Sequence, residues 1–489
     1  MLFTRSAHRL SARGLLLALS LSLGACAVSP QDRWGASLDQ LLADPALQGA
    51  TVSLSVRDAE SGATLYRHNP DSRLIPASSL KLLTTAAALD VLGPDYRFAT
   101  QVLGDGRQQG ERLLGNLYLR GSGDPSMQAA DYRELAAAVA RSGIRQVSGD
   151  LVLDDTAFDD QRLGVDWASD DESLYYAAQI SALNIAPNDD FDAGSVLVSV
   201  TAPTRPGAPL AVSVSPANRL MSLRNQGRVG AQDSQQDSLQ VGREHGSNLL
   251  LVSGALPPGQ SRRNWVSVWE PTRLVADVFQ QALAEQGVTV QGQVRIGQAT
   301  APAARVLASH ASMPLAGLIM PLLKLSNNNM SEVLLKAMGR QTASAGTAAA
   351  GVAAIEGFLR RQGLDPQGLV QVDGSGLSRR NQISSQSLSD LLLVARKQPW
   401  FATWYAALPV AGDAARMTGG TLRYRLLGTA AVDNLHAKTG SMQGVSSLSG
   451  YLNAADGRRL VLVMLSNNYR VEGARIKALE DRVAQALMQ

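Results

Sequence analysis

Strand-like sequence lies at both ends of this chain, and that limits the folds open to it. Near the start, TVSLSVRD (51–58) sets Val52, Leu54 and Val56 at alternate positions, the period of a half-buried strand. ATLYRHN, after Glu60-Ser61-Gly62, reads as its hairpin partner. Near the end, VSSLSGYLNAADGRRLVLVMLSNN reads as two strands joined at Asp456-Gly457, and the helix after it carries Ile476, Leu479, Val483 and Leu487 on one face. An isolated hairpin is only marginally stable, so these strands need partners. The simplest arrangement is one sheet assembled from both termini, with helices beside it and the middle of the chain inserted. At 489 residues the chain is too long for one ordinary core. The expected class is α/β (α+β), with one domain from 28–96 and 301–489. An inserted α/β domain is expected from 97–190 and 264–300. A nested, polar, Gly/Ser/Gln-rich β domain is expected over 191–263.

The first 26 residues read as a secretion signal. MLFTRSAHRLSAR is a basic leader, GLLLALSLSL an apolar run, and GACA a small-residue cleavage zone. An apolar run of roughly ten residues falls short of the about 20 that a spanning helix needs. Ala25-Cys26-Ala27 fits ordinary A-x-A cleavage, while Leu23-Gly24-Ala25-Cys26 resembles a bacterial lipobox that leaves Cys26 acylated. Both routes end outside the cytoplasm, in the periplasm of a Gram-negative cell, the second with a lipid anchor or peripheral membrane contact. Cys26 is the only cysteine, which excludes an intrachain disulfide and a thiolate metal site. The formal net charge is +3, and Arg5, Arg9 and Arg13 supply three positives that leave with the leader. The near-neutral remainder gives no argument for nucleic acid as a partner.

Three short motifs carry the chemistry. Lysine is scarce, six residues among 45 Lys and Arg, yet Ser78-Ser79-Leu80-Lys81 sets one three residues after a serine at the head of an Ala/Leu-rich helix. Residues i and i+3 share a helix face. Ser326-Asn327-Asn328 follows at a break between helices, and Lys438-Thr439-Gly440 at the start of a strand. Each alone reads as a cap or a polar strand end. In order, S-x-x-K, S-x-N and K-T-G reproduce the signature of the penicillin-recognising serine enzymes.

With LYLRGSGDP, YYAAQISALN, QVDGSGLSRRN, GGTLRYRL and AKTGSMQGVSSLSGYL, the chain resembles the D-alanyl-D-alanine carboxypeptidase/endopeptidase family of low-molecular-mass class C penicillin-binding proteins, peptidase family S13. The likeness runs from about Thr51 to the C-terminus. It implies a transpeptidase/β-lactamase-like domain with two nested insertions, peptidoglycan stem peptides as substrate and β-lactams as covalent inhibitors. It also implies a pocket for the zwitterionic end of a diaminopimelate side chain, at Trp167, Asp170 and Tyr175 of DWASDDESLYY and Arg379 of DGSGLSRRN. Asp170-Asp171-Glu172 reads equally as a solvated acidic turn. Gly374 and Gly376 read as parts of a tight loop.

A serine hydroxyl needs a base, and none of the five histidines sits in a recognisable triad. Lysine serves if burial and a second cation depress its pKa. Lys81 is thus the expected base for Ser78, Lys438 the second cation, Ser326 a proton bridge between Lys81 and the leaving amine, and Asn328 the holder of a substrate carbonyl. Lys438 and Thr439 would attract the terminal carboxylate, and Gly440 would let the substrate backbone approach the strand. The backbone N–H groups of Ser78 and Ser441 would hold the oxyanion. No cofactor or metal is implied. The rival readings are a β-lactamase or esterase on the same scaffold, and a catalytically silent wall-binding or antibiotic-sensing protein.

Overall fold

The computed structural model describes residues 32–231 and 235–489. The leader, its cleavage zone and Cys26 lie outside the described residues. Among those described, no helix is long and apolar enough to cross a membrane.

The two ends of the chain do share a sheet. Its five strands are all antiparallel, in the order Thr64–His68, Thr51–Asp58, Arg459–Asn467, Val445–Asn453 and His436–Met442. Both faces are covered, which explains the nearly unbroken apolar run RLVLVMLSN of 459–467. Leu460, Leu462 and Met464 point to one side, where Ile476, Leu479, Val483 and Leu487 of helix Gly473–Leu487 pack with Leu38. Val461, Val463 and Leu465 point to the other, into a larger cluster with helices Lys81–Val91, Leu315–Leu325, Asn328–Ala343, Ala348–Arg361 and Ser385–Ala395. The period of two in a strand thus serves two cores at once.

Helix Lys81–Val91 is central to that larger cluster and is buried from Lys81 through Leu89. Its small residues let neighbours approach on every side, and its hydroxyls find partners inside the protein. Thr84 Oγ1 donates to the Gly374 carbonyl at 2.7 Å, and Trp404 Nε1 donates to Thr85 Oγ1 at 2.8 Å. Gly93, at φ +84°, and Pro94 end the segment.

The inserted region begins with strand Ala99–Gly104. It pairs with Leu117–Gly121 on one side and Arg305–Ala311 on the other. The sequence pattern places the last strand in the first domain, from residue 301. Its pairing carries the inserted sheet to Ala311, because the return strand must pass beside the entering one before the chain re-enters the first domain. Likewise Ser261–Ser267 pairs with Ser195–Thr201, so the nested sheet runs past residue 263. Val196, Val198 and Val252 of the nested piece share one apolar cluster with Val102, Leu153 and Leu274 of the surrounding insertion.

Candidate active site

Ser78 lies in a single tight turn, Ala77–Leu80, that leads into helix Lys81–Val91. Ala77 sits at φ +46°, in the left-handed region, so the chain turns sharply just before the serine. Two contacts hold the turn: Ile75 N donates to Asn467 Oδ1 at 2.9 Å, and Ser447 Oγ donates to the Pro76 carbonyl at 2.7 Å. Both partners stand on strands of the main sheet. Ser326, at φ +63°, occupies the break between helices Leu315–Leu325 and Asn328–Ala343, where Asn327 caps the second helix by accepting from Met330 N.

The fold brings all three motifs together. Lys81 Nζ is 3.0 Å from Ser78 Oγ, 2.7 Å from Asn328 Oδ1 and 2.6 Å from the Ser375 carbonyl. Asn328 is oriented by its other end, because Nδ2 donates to the Tyr176 carbonyl at 2.8 Å. Lys81 therefore faces two pure acceptors and one hydroxyl. A neutral amine, with two N–H groups and one lone pair, matches that set: it donates twice and receives the serine proton. Burial lowers the Lys81 pKa from 10.5 to about 7, although the charges of Asp373 and Glu332 work in the opposite direction.

Lys438 is also fully buried, and burial first, then the charge of Lys81, pushes it well below the usual lysine range. Its Nζ donates to Ser326 Oγ at 2.9 Å and to the Thr439 carbonyl at 2.7 Å. Thr439 Oγ1 donates to Thr421 Oγ1 at 2.8 Å. Ser78, Ser326, Asn328 and Ser441 border one cavity of about 600 Å³, together with Asp170, Tyr175 and Arg379.

The profile of the D-Ala-D-Ala carboxypeptidase 3 (S13) family matches residues 35–489. The chain belongs to this family. It is 42% identical over 455 residues to the D-alanyl-D-alanine carboxypeptidase of Actinomadura sp. (strain R39), across 92% of this chain and 84% of that one. D-alanyl-D-alanine carboxypeptidase DacB of Haemophilus influenzae is 28% identical over 434 residues, across 86% of each. The crystal structure of penicillin binding protein 4 (dacB) from Haemophilus influenzae matches with a TM-score of 0.80 at 25% identity, over 92% of this chain and 99% of that one. The fold is the penicillin-recognising one, and the protein is a serine peptidase of the S13 family.

Four sequence expectations for this S13 peptidase need correction. The depressed pKa of Lys81 comes from burial rather than from a second cation; the mutual repulsion acts on Lys438. Ser326 is bonded to Lys438 rather than to Lys81, because the left-handed residue aims its hydroxyl across the cleft. Gly440 leaves room for the protein itself: a Cβ there would lie 2.6 Å from the Pro76 carbonyl oxygen and 3.0 Å from Ser78 N. Trp167 turns away from the cavity that Asp170 and Tyr175 border, and its Nε1 donates to Asp373 Oδ2 at 3.0 Å. Arg379 does border that cavity, with Nη2 donating to the Gln443 carbonyl at 2.6 Å. His436 lies in strand His436–Met442 and stacks on Tyr405.

Two buried acids escaped the sequence reading. Glu332 accepts from the N–H groups of Gly374 and Ser375 at 2.8–3.0 Å. Asp373 accepts from Gly376 N at 2.8 Å, Ser378 N at 2.7 Å and Asn381 Nδ2 at 2.8 Å. Together they fix the loop whose Ser375 carbonyl holds Lys81. Burial, and next the Asp373 charge, raises the Glu332 pKa to about 7. The one available signal was an acid inside the apolar stretch MSEVLLKAM.

Proposed function

We propose that this protein is a periplasmic DD-peptidase acting on peptidoglycan stem peptides through a Ser78 acyl-enzyme. It removes C-terminal D-alanine and cleaves D-Ala–diaminopimelate cross-links. One observation carries the reading: the Lys81 amine, with a pKa near 7, sits 3.0 Å from Ser78 Oγ and has its other two directions filled by acceptors.

In acylation Lys81 takes the Ser78 proton while Oγ attacks the carbonyl carbon of the penultimate D-alanine. The backbone N–H groups of Ser78 and Ser441 receive the developing oxyanion, an arrangement whose loss costs roughly 10²–10³ in rate elsewhere. The C–N bond breaks, and the leaving nitrogen takes a proton from Ser326 Oγ, which Lys438 resupplies across 2.9 Å. Thr439 and Lys438 attract the terminal carboxylate. Water then hydrolyses the ester: its proton passes to Ser326 and Lys438, replacing the one given to the leaving amine, and Lys81 returns its proton to Ser78 Oγ. Asp170 and Arg379, at the other end of the cavity, pair with the ammonium and carboxylate of the substrate side chain. The chain divides into three units, the catalytic domain, the insertion and the nested β piece. A β-lactam presents the same carbonyl and traps Ser78.

The test is covalent labelling by a fluorescent penicillin alongside release of D-alanine from a pentapeptide. Wild type should label and release. Ser78→Ala should do neither, and labelling retained in that variant overturns the proposal.

A further inference from the structure

The cleft extends from Ser78 in two directions: one end carries acids as well as an arginine, the other basic side chains. The cavity that runs along Ser441, Met442 and Gln443 meets Asp170 and Asp171 beside Arg379, and its Asp166 is paired with Arg380 at 3.3 Å. A second cavity, of about 430 Å³, shares Ser78, Ser326 and Ser441 with it. It then passes Thr439 and Thr421 to reach Arg423, Tyr424, Arg425 and Lys477. Arg425 is already neutralised, by Glu480 at 3.0 Å and Asp481 at 2.7 Å. Arg423 only donates to the Gly420 carbonyl at 3.0 Å and lies over the Tyr424 ring at 4.9 Å. Among the described residues, neither Arg423 nor Lys477 has a carboxylate within ion-pair distance. Tyr424 is 71% exposed beside them, an aromatic face left in water.

The direction of strand His436–Met442 assigns the two ends. If Lys438 and Thr439 receive the carboxylate next to the scissile bond, the acyl half of the substrate runs toward Ser441–Gln443. The leaving half then runs past Thr439 and Thr421. A departing D-alanine is one residue and ends at Thr439. Arg423, Tyr424 and Lys477 lie beyond it, and a single residue does not need them.

We propose that this basic cavity is a subsite for the departing strand of a cross-linked substrate: a peptide amine longer than one residue, whose further carboxylates meet Arg423 and Lys477 and whose backbone lies on Tyr424. The inference rests on the Ser78 acyl-transfer reading. The bond broken is the amide between the D-alanyl carbonyl carbon and the side-chain nitrogen of a second stem peptide. The Ser78 ester replaces it, the nitrogen takes up one proton, and the second peptide leaves through this end of the cleft. The two ends together would fix which strand of a cross-link is the acyl donor.

The experiment compares kcat/KM for a monomeric pentapeptide and for a D-Ala–diaminopimelate cross-linked peptide dimer, in wild type and in Arg423→Gln/Lys477→Gln. The expected result is a fall of about three- to tenfold in the dimer-to-pentapeptide ratio, the size that two partly screened charge contacts supply. Added salt should shrink the wild-type ratio and leave that of the variant nearly flat. D-Alanine release by the variant reports that it is folded. An unchanged ratio, or an equal fall for both substrates, overturns the subsite while the acyl-transfer reading stands. A wild type inactive on both substrates overturns that reading, and the subsite with it.

Discussion

The substitution Gly376→Ala probes how tightly the nucleophile turn is held. Gly376 sits at φ +81°, and a Cβ there would lie 1.9 Å from the Ala77 carbonyl oxygen and 2.6 Å from its carbon. The left-handed backbone alone costs an alanine about 1–2 kcal/mol. Overlap with a backbone atom adds about 1–3 kcal/mol, since no flexible side chain can swing aside. A total of about 2–5 kcal/mol lowers the melting temperature by roughly 5–15 °C for a domain of this size. A kinetic effect accompanies it. Restoring normal contact moves the Ala77 carbonyl by more than about 1 Å, and a misplacement of that size at a reacting group costs about 10²-fold. Ala77 precedes the nucleophile, and Ser375, whose carbonyl holds Lys81, precedes Gly376. Both halves of the pair are therefore disturbed. Thermal melting together with the acylation rate by a fluorescent penicillin gives the answer. A variant that melts like wild type and acylates within about twofold of it would refute the packing argument.

Two further outcomes follow from the same geometry. Acylation of Ser78 should rise about tenfold per pH unit below pH 7 and level off above it, as Lys81 loses its proton near 7 and becomes the base; stopped-flow acylation from pH 5 to 10 checks this, and a rise that continues to pH 10 contradicts it. Arg243→Met should cost about 1–3 kcal/mol, because the buried Glu172 loses the Arg243 partner at 2.9 Å and keeps only Gly246 N at 2.9 Å and His245 Nδ1 at 2.6 Å. Since Glu172 follows Asp170 and Asp171, this variant should lose preference for substrates with a zwitterionic side chain more than it loses penicillin acylation, which paired kcat/KM measurements would show.

The sheet and the catalytic cluster were legible because each rests on a pattern with a short range. Alternation in 51–58 and the apolar run of 459–467 identified strands, and the three motifs identified residues whose chemistry makes sense only together. What sequence left hidden depends on direction. The W-x-x-D spacing does not say which way the Trp167 ring turns, and it turns to Asp373. Ser326 takes a left-handed conformation that aims it at Lys438, and nothing in S-x-N announces that. Glu332 and Asp373 act through backbone N–H groups, which carry no sequence signature. The segment tying Glu172 to Arg243 of the nested piece, and Tyr176 to Asn328, joins positions that lie close only after folding.

The charge state of one side chain decides the account. With six lysines in the whole chain, a protein carrying ¹³Cε-labelled lysine gives a spectrum simple enough to follow through a pH titration. The Lys81 signal is identified by its loss in Lys81→Arg. A midpoint at about 7 is the predicted result, and a midpoint near the ordinary 10.5 would leave Ser78 without a base.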